Sequence, residues 1–257
     1  ITRDGQELMD QSDSRRKIAI SGATGFLGRA VAAAVVARGH EPVVIQQRAG
    51  FWQQPAEMKV LARCLAGCDA LINCAGRAHV TARQSAEAEW AAFVAVNRDL
   101  PLQLARAARE AGLGRFVHVS SVAALASSTA PGETIDDSFA ASPETPYGRS
   151  KLEGDRAVLD LATDGFAVVV MRPPALFGPG AKGWFPAFMR AARLGLPLPL
   201  GAIANRRSLA FVGNVADALV NAATGTSVPS GAYVVCDSAP LSSGEFYDRL
   251  CRAHGHR

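Results

Sequence analysis

The sequence contains little lysine, few cysteines and no long hydrophobic run. No apolar stretch approaches the ~20 residues of a membrane-spanning helix, and the polar stretch 1–17 lacks the apolar centre of a secretory signal. The net charge of +4 comes mainly from scattered arginines rather than from basic runs interleaved with aromatic residues. A solvated surface is therefore favoured over nucleic-acid binding, although a few arginines can face a phosphorylated small ligand. We expect no nucleic-acid partner and no membrane insertion.

Cysteine supports neither a disulfide framework nor a zinc site. The five cysteines are an odd number. Cys64 and Cys68 lack the Cys-x-x-Cys spacing, and no histidine pair accompanies them. We expect reduced thiols, no metal site and a cytoplasmic protein.

Short apolar strands alternate with helical segments from Lys17 onward. Strands of nearly continuous apolar content, separated by helices, indicate a parallel sheet that is covered on both faces. The predicted strands are 17–21, 42–46, 70–74, 116–120 and 167–171. The predicted helices are 25–38, 87–97, 100–111, 147–161, 185–194 and 214–223. The sequence therefore predicts an α/β fold with a Rossmann-like doubly wound parallel sheet.

A glycine-rich turn joins the first strand to the first helix. Glycines at this spacing allow a tight turn, let backbone N–H groups approach a pyrophosphate, and let the helix pack closely on the strand. A spaced glycine triplet alone is a weak signal, but its position directly after the first strand predicts a dinucleotide site. The expected cofactor-binding residues of this turn are Gly22, Thr24, Gly25, Phe26, Leu27 and Gly28.

The end of the second strand distinguishes NAD from NADP. An acidic residue ~20 positions after the glycines would bind a ribose 2′-hydroxyl. The chain instead reads Gln46-Gln47-Arg48, which has no carboxylate. An arginine there can pair with the 2′-phosphate of NADP, although it can also be an ordinary surface residue. Arg48 therefore predicts NADP, with NAD as the other possibility.

A serine, a tyrosine and a lysine form the candidate catalytic group. Tyr147 and Lys151 are four residues apart on a predicted helix and so share one face. An ammonium beside a phenol favours the phenolate, so we expect Lys151 to lower the pKa of Tyr147. Ser121 ends a predicted strand at the edge of the sheet where such folds bind ligands, and its hydroxyl can bind the reacting oxygen. A lone Tyr-x-x-x-Lys would be interpreted as a pair on the surface of a helix. Its occurrence together with the glycine turn and Ser121 favours a catalytic group over a chance spacing.

Several motifs together resemble one family. They are GATGFLG at 22–28, INCAG at 72–76, VNRDLP around Asn97, HVSS ending at Ser121, YGRSK at 147–151 and RPPALFGPG at 172–180. From about Lys17 to its end, the chain resembles the extended short-chain dehydrogenase/reductases, the NAD-dependent epimerase/dehydratase group that acts on nucleotide sugars.

The resemblance implies roles for the residues that match those motifs. Ser121, rather than Ser120, matches the catalytic Ser/Thr, and Tyr147 matches the acid/base. Lys151 would bind the nicotinamide ribose and tune Tyr147. The resemblance further implies that Ala75 and Gly76 line the cofactor groove through their backbones, that Pro173 lies near the nicotinamide, and that Asn97 braces the sheet.

A second set of residues implies the substrate. In this family the segment 195–209 contacts a nucleotide diphosphate, and Arg207 matches the arginine that pairs with the sugar-linked phosphate. The phrases NRRSL and GRAHV resemble the branch near bacterial UDP-N-acetylhexosamine 4-epimerases and 4-keto-6-deoxy-hexosamine 4-reductases. Arg77 and His79 would then point toward the sugar of a UDP-sugar, although a lone loop histidine is more often merely solvated.

The chain also departs from the family pattern. The acidic stretch that usually holds the adenine is absent together with the third strand between Arg48 and Ala70, so that strand is missing or very short, or a piece of the natural chain is absent. Ser121 is not followed by the usual tyrosine-glycine pair, and the end at Arg257 is early. We divide the chain into a mobile tail (1–16), a dinucleotide-binding core (17–173) and a mainly substrate-binding lid (174–257) with elements that return to the core.

The leading hypothesis is an NADP-dependent reductase of a UDP-linked 4-keto (6-deoxy) sugar in bacterial polysaccharide synthesis. An NAD-dependent UDP-sugar 4-epimerase would use the same residues. A non-catalytic NADP-binding sensor is a further alternative, but such proteins typically lose the tyrosine-lysine pair. A homodimer through the predicted helices at 100–111 and 152–161 is possible, although both segments also suit a role in covering the sheet.

Overall fold

A computed structural model describes residues 15–45, 55–78, 85–237 and 240–256. Two predicted site residues, Arg48 and His79, and most of the predicted tail lie outside the described residues. Arg15 and Arg16 fall within the predicted tail, and both contact Glu41. Arg15 lies 3.4 Å from Glu41, and the Arg16 carbonyl accepts a hydrogen bond from the Glu41 backbone N–H.

One parallel sheet forms the centre of the described structure. Its strands are β1 (Lys17–Ser21), β2 (Glu41–Ile45), β3 (Ala70–Asn73), β4 (Arg115–Val119), β5 (Ala167–Arg172) and β8 (Gly231–Val234). Across the sheet they follow the order β2-β1-β3-β4-β5-β8. The predicted doubly wound α/β fold is therefore confirmed, because the chain runs outward from β1 to β2 on one side and to β3, β4 and β5 on the other.

Helices cover both faces of this sheet. The helices are α1 (Phe26–Ala37), α2 (Pro55–Leu65), α3 (Ala86–Val94), α4 (Leu100–Glu110), α5 (Pro146–Leu159), α6 (Trp184–Arg193), α7 (Val212–Thr224) and α8 (Ser243–Ala253). α1 and α7 pack on one face, whereas α2, α4 and α5 pack on the other. Successive strand residues alternate between the two apolar layers, as Leu71 and Ile72 do. This explains why the strands are apolar throughout.

Residues after β5 form a second, smaller layer and also return to the sheet. β6 (Ala175–Phe177) pairs with β7 (Leu209–Phe211) in a short parallel sheet, and α6 packs on α8. α7 packs on α1, and β8 extends the main sheet. Within the described ranges, no helix is long and apolar enough to cross a membrane.

The predicted helices all exist with small shifts at their ends, but several elements were missed. Between Arg48 and Ala70, where the sequence shows no strand, the described residues hold helix α2, and residues 46–54 lie outside the described structure. The short strands β6, β7 and β8 and helix α8 were not predicted. The predicted helix 87–97 is interrupted by a π-helical turn at Ala95–Asp99, which carries one extra residue and turns Asn97 inward.

Candidate active site

The candidate site lies at the carboxyl ends of the central strands. The chain goes from β1 to β2 on one side and onward to β3 on the other, and ligands of open α/β sheets bind where the strand order reverses in this way. Gly22 follows β1, Ala75 lies just beyond β3, Ser121 lies just beyond β4, and Pro173 follows β5. The sheet therefore brings these four predicted site residues to one edge.

The glycine turn has the close approaches that its sequence predicts. Gly22 has φ +73°, and a Cβ there would lie 2.6 Å from the Ala75 backbone nitrogen. The Gly25 backbone N–H donates to the Gly22 carbonyl at 2.9 Å, and a Cβ on Gly28 would lie 2.1 Å from that same oxygen. Larger residues at positions 22 and 28 would push the turn away from the sheet. Leu27 points into the core, so only its backbone faces the turn.

The start of α1 fits the phosphates of a dinucleotide. Gly25 precedes the helix and offers no side-chain cap, and the first turn carries no acidic residue. The first backbone N–H groups of a helix lack partners within the helix and attract anions. Thr24 is exposed beside them, and its carbonyl accepts a hydrogen bond from the Arg29 guanidinium at 2.7 Å.

Gly76, Asn97 and Lys151 meet on the other side of the groove. A Cβ on Gly76 would lie 3.0 Å from Lys151 Nζ and 3.7 Å from Asn97 Oδ1. The buried Asn97 side chain accepts from the Arg77 backbone N–H and donates to the Arg77 carbonyl, both at 2.9 Å. It also donates to Ser150 Oγ on α5 at 3.0 Å. Asn97 thus joins the loop after β3 to the helix that carries Tyr147.

Ser121 and Tyr147 approach each other across the end of β4. Thr145 caps α5 by accepting from the Gly148 backbone N–H at 3.0 Å, which starts the helix just before Tyr147. A Cβ on Gly148 would lie 2.2 Å from the Ala123 carbonyl, so α5 packs directly on the 3₁₀ turn after Ser121. The Ser121 hydroxyl lies close enough to the Tyr147 phenol to lower its pKa. The predicted serine-tyrosine pair is therefore brought together.

The protonation of Tyr147 differs from the prediction. Burial raises the pKa of the phenol, the nearby Ser121 hydroxyl lowers it, and the charge of Asp155 raises it further, with a net increase. The prediction that Lys151 lowers the pKa of Tyr147 is therefore wrong for this structure. The spacing of Tyr147 and Lys151 in the sequence carries no information about how deeply the ring is buried. Phe93 contributes to that burial, with its ring centroid 6.0 Å from that of Tyr147.

Lys151 is buried at the base of the site. Its Nζ donates to the Val119 carbonyl at 3.0 Å. Burial lowers its pKa to about 8, although the charge of Asp155 opposes this. Two of its three donor hydrogens are not used by this contact, so the amine can donate to a hydroxyl in the groove.

The remaining predicted residues lie around this centre. The Pro173 carbonyl accepts from the Val122 backbone N–H at 3.1 Å, which ties the end of β5 to the turn after Ser121. Arg77 has a half-buried side chain whose Nε has no protein partner in the described structure. Arg207 is exposed and is held by backbone hydrogen bonds to Leu241 in both directions.

Two neighbouring pockets in the C-terminal region are rich in aromatic residues. Arg207 lines one of them together with Trp184, Phe188 and Phe246. The other has a cavity volume of about 390 Å³ and contains no charged side chain among its lining residues. It is lined by Phe177, Gly178, Pro179, Gly180, Ala181, Phe185, Pro186, Met189 and Phe211. Sequence reasoning missed this aromatic cluster, although the run Trp184-Phe185-Pro186-Ala187-Phe188 places aromatic rings on one helix face.

Comparison with known proteins agrees with this geometry. The model of the NAD dependent epimerase/dehydratase family matches residues 18–236. The chain is 32% identical over 185 residues to UDP-glucose 4-epimerase of Vibrio cholerae, covering 71% of this chain but only 56% of that protein. It is 30% identical over 257 residues to a 4-hydroxy-2-methyl-3-oxo-4-farnesyl-3,4-dihydroquinoline-1-oxide ketoreductase of Stigmatella aurantiaca, covering 92% of this chain and 72% of that protein.

The fold is also similar to that of a solved structure. UDP-N-acetylglucosamine 4-epimerase from Bacillus cereus superposes with a TM-score of 0.80 at 22% identity, covering 94% of this chain and 85% of that one. At this identity the likeness concerns the fold, and the roles of individual residues depend on the geometry of the site.

Proposed function

Because the chain belongs to the NAD dependent epimerase/dehydratase family, we propose that it is an NADP-dependent reductase of a nucleotide-linked 4-keto (6-deoxy) sugar, with UDP as the nucleotide. The observation that carries this proposal is the convergence of Ser121, Tyr147 and Lys151 at the carboxyl edge of the sheet, beside a glycine turn that fits a dinucleotide. When bound, the dinucleotide would supply the hydride to the carbonyl carbon.

Ser121 and Tyr147 act on the carbonyl oxygen in this proposal. The Ser121 hydroxyl donates a hydrogen bond to that oxygen, and Tyr147 gives it a proton as negative charge develops there. A general acid must hold its proton at the working pH. Burial raises the pKa of Tyr147, so the phenol holds its proton in the neutral range.

Lys151 and the glycine turn hold the reactants. The amine anchored on the Val119 carbonyl can donate to a ribose hydroxyl in the groove, and the N–H groups at the start of α1 can bind the pyrophosphate. Ala75, Gly76 and Pro173 would line this groove through their backbones. The preference for NADP rests on Arg48 as a sequence prediction.

Arg207 and its aromatic neighbours suit the nucleotide part of the substrate. A guanidinium binds phosphate oxygens in a bidentate manner, and Trp184 beside it offers a ring surface for a base. Arg77 and His79 are proposed to face the sugar. Polysaccharide synthesis is the proposed setting for such a substrate.

The two sugar chemistries can be separated with purified protein. Incubation with NADPH and a UDP-4-keto-6-deoxy sugar should oxidise the cofactor, whereas UDP-N-acetylglucosamine should give no C4 inversion. Inversion without added cofactor would identify a 4-epimerase instead. Binding of NADPH without turnover of any carbonyl substrate would favour a non-catalytic sensor. Equal or tighter binding of NADH would refute the NADP preference.

A second candidate is the reduction of a ketone on a long apolar chain. The cavity of about 390 Å³ has no charged side chain in its lining, and apolar walls favour hydrocarbon over a sugar. The similar Stigmatella aurantiaca ketoreductase aligns over 92% of this chain, and its name carries a farnesyl group. Faster NADPH oxidation with a farnesyl or alkyl ketone than with a UDP-4-keto sugar would favour this candidate.

A homodimer remains a prediction, to be checked by light scattering.

A further inference from the structure

A row of buried polar side chains crosses the sheet behind the candidate site, and the proposed hydride chemistry gives it no role. It passes through Asn73 on β3, His118 on β4, Asp155 on α5 and Arg172 on β5, none more than 8% exposed. Burying polar and charged groups costs free energy unless each one is paired. This row therefore differs from ordinary core packing.

Backbone contacts fix the direction of the hydrogen bonds in the row. The Ala75 backbone N–H donates to Asn73 Oδ1 at 3.1 Å, and the Ser21 hydroxyl donates to the same oxygen at 3.0 Å. Asn73 Nδ2 then donates to His118 Nδ1, which lies 3.1 Å away. His118 must carry its own hydrogen on Nε2. Burial lowers the pKa of His118 well below its usual range, and the charge of Lys151 lowers it further, so the ring is neutral.

His118 Nε2 faces the carboxylate of Asp155. The distance from Nε2 to Asp155 Oδ1 is 4.0 Å, which is too long for a direct hydrogen bond. Neither atom has another partner in the described part of the chain, and buried Ser120 Oγ is also unpartnered. Ser120 is close enough to lower the pKa of Asp155.

Asp155 also faces the catalytic side of α5. It lies one helical turn after Lys151 and two turns after Tyr147, so the three side chains share a face. The charge of Asp155 raises the pKa of Lys151 against the larger effect of burial, and it raises the pKa of Tyr147 as well. Burial raises the pKa of Asp155 itself, but Arg172 Nε at 2.9 Å opposes this and favours the carboxylate.

Other charged groups near this face do not replace Asp155. The thiol of Cys74, just beyond β3, has its pKa raised by burial to about 12 and is neutral. Arg98, in the π-helical turn that packs on α5, pairs with Asp99 and with Glu153 in a half-exposed cluster. Asp155 is thus the acidic group that faces Lys151 from within the described core.

We propose that Asp155, held by Arg172, is a positioning residue that keeps Lys151 and Tyr147 protonated for reduction. The inference rests on the proposed reductase function, since an acid catalyst needs these protons. It adds a buried carboxylate to the site, acting through the lysine and tyrosine rather than on substrate.

The test is the pH dependence of kcat/KM for NADPH-dependent reduction in three variants. In Asp155→Asn the alkaline limb should move down by about one pH unit, because a nearby negative charge is lost. Asp155→Glu keeps the negative charge and should therefore leave the alkaline limb close to its wild-type position. The matched control Glu153→Gln removes a carboxylate from the exposed side of the same helix and should leave the profile unchanged. Superimposable profiles for wild type and Asp155→Asn would overturn the proposal.

A titration that needs no turnover separates this inference from the proposed function. The tyrosinate absorbance of Tyr147 is obtained by subtracting the signal of a Tyr147→Phe protein, in the wild-type and the Asp155→Asn backgrounds. The midpoint should fall by about one pH unit in Asp155→Asn even if no substrate is reduced. An unchanged midpoint would refute the positioning role. If Asp155→Asn does not fold, the double variant Asp155→Asn/Arg172→Gln removes both opposite charges of the buried pair. The midpoint of the Tyr147 titration should fall in this double variant too, and an unchanged midpoint would count against the positioning role.

Discussion

The candidate site has two sides that are held together differently. One side is built from the parallel sheet, and the other is built from the C-terminal segments. On the sheet side, backbone atoms and buried polar groups fix each functional residue, as Asn97 does through three hydrogen bonds. On the C-terminal side, rings such as Trp184, Phe185 and Phe246 pack against one another at centroid distances of 5.8–6.4 Å. Arg207 projects beside them with an exposed side chain.

This difference separates the chemistry from the choice of substrate. A hydrogen-bonded backbone cradle tolerates little change, because each added atom meets a fixed neighbour. Aromatic side chains that touch without directional bonds can repack around ligands of different shapes. In the proposed reaction, the hydride chemistry therefore belongs to the sheet side, and the choice of substrate belongs to the C-terminal segments.

The largest expected effect is on the sheet side. Tyr147→Phe should lower kcat/KM for NADPH-dependent reduction by roughly 10²–10⁴-fold, because a general acid is lost. The free energy of unfolding and the affinity for NADPH should stay close to wild type. Tyr233→Phe is the matched control, since the Tyr233 hydroxyl donates to the Pro229 carbonyl outside the site. Unchanged turnover in Tyr147→Phe would end the proposed mechanism.

Lys151 should make activity and stability change in opposite directions with pH. The folded protein releases the Lys151 proton at about pH 8, whereas an unfolded lysine holds it to about 10.5. The unfolded state therefore binds more protons between these values, and stability rises with pH. Relative to Lys151→Met, the wild type should gain about 2–3 kcal/mol of unfolding free energy between pH 7 and 10. Denaturant titrations would measure this, while kcat/KM should fall above pH 8. A difference that is independent of pH would contradict the buried position of the charge.

Two glycines compare the sides directly. Gly28→Ala places a Cβ 2.1 Å from the Gly22 carbonyl oxygen, whereas Gly201→Ala meets no atom within 4 Å. Gly28→Ala should lower the free energy of unfolding by about 1–3 kcal/mol and weaken NADPH binding. Gly201→Ala should change stability by less than about 0.5 kcal/mol. Denaturation curves and cofactor titrations of both variants measure these changes. Equal losses of unfolding free energy in the two variants would show that the sheet side is not the more constrained one.

The smallest expected effect concerns Arg207. Arg207→Gln should raise KM for a UDP-sugar by about 10-fold through the loss of a charge-assisted contact, with kcat little changed. Arg206→Gln is the control, because the Arg206 side chain donates to the Pro240 carbonyl instead. With an apolar ketone as substrate, the KM of Arg207→Gln should equal that of the wild type. Steady-state kinetics with both substrates would show which one uses this side, and a fall in kcat alone would argue against a binding role.

The sequence was most informative where burial is complete. Strands β1, β3, β4 and β5 are apolar on both faces, so their composition alone indicated a covered parallel sheet. The glycine turn could be recognised because only glycine permits its close approaches. Strand β8 is half-buried and short, and β6 and β7 have three residues each, so none produced a recognisable pattern. Helix α8 did carry a readable signal in the capping box of Ser242 and Glu245.

The candidate site was predictable in its members but not in its electrostatics. Spacing placed Tyr147 and Lys151 on one helix face, and the structure agrees. The direction of the Tyr147 pKa shift depends on burial, which four residues of sequence cannot show. His118 and Asp155 were overlooked because their contact joins positions 37 residues apart, from a strand and a helix. The roles proposed for Arg48 and His79 remain predictions from the sequence.

The extra residue in the turn Ala95–Asp99 has a consequence for how mutational data on this protein will combine. A Cβ on Gly154 would lie 2.0 Å from the Asn97 carbonyl, so the turn and α5 share one close backbone crossing. A change at Asn97, Ser150 or Gly154 therefore disturbs the same junction. The free-energy changes of paired substitutions there should be smaller than the sum of the single changes, so a double-mutant cycle will report coupling rather than independent contributions.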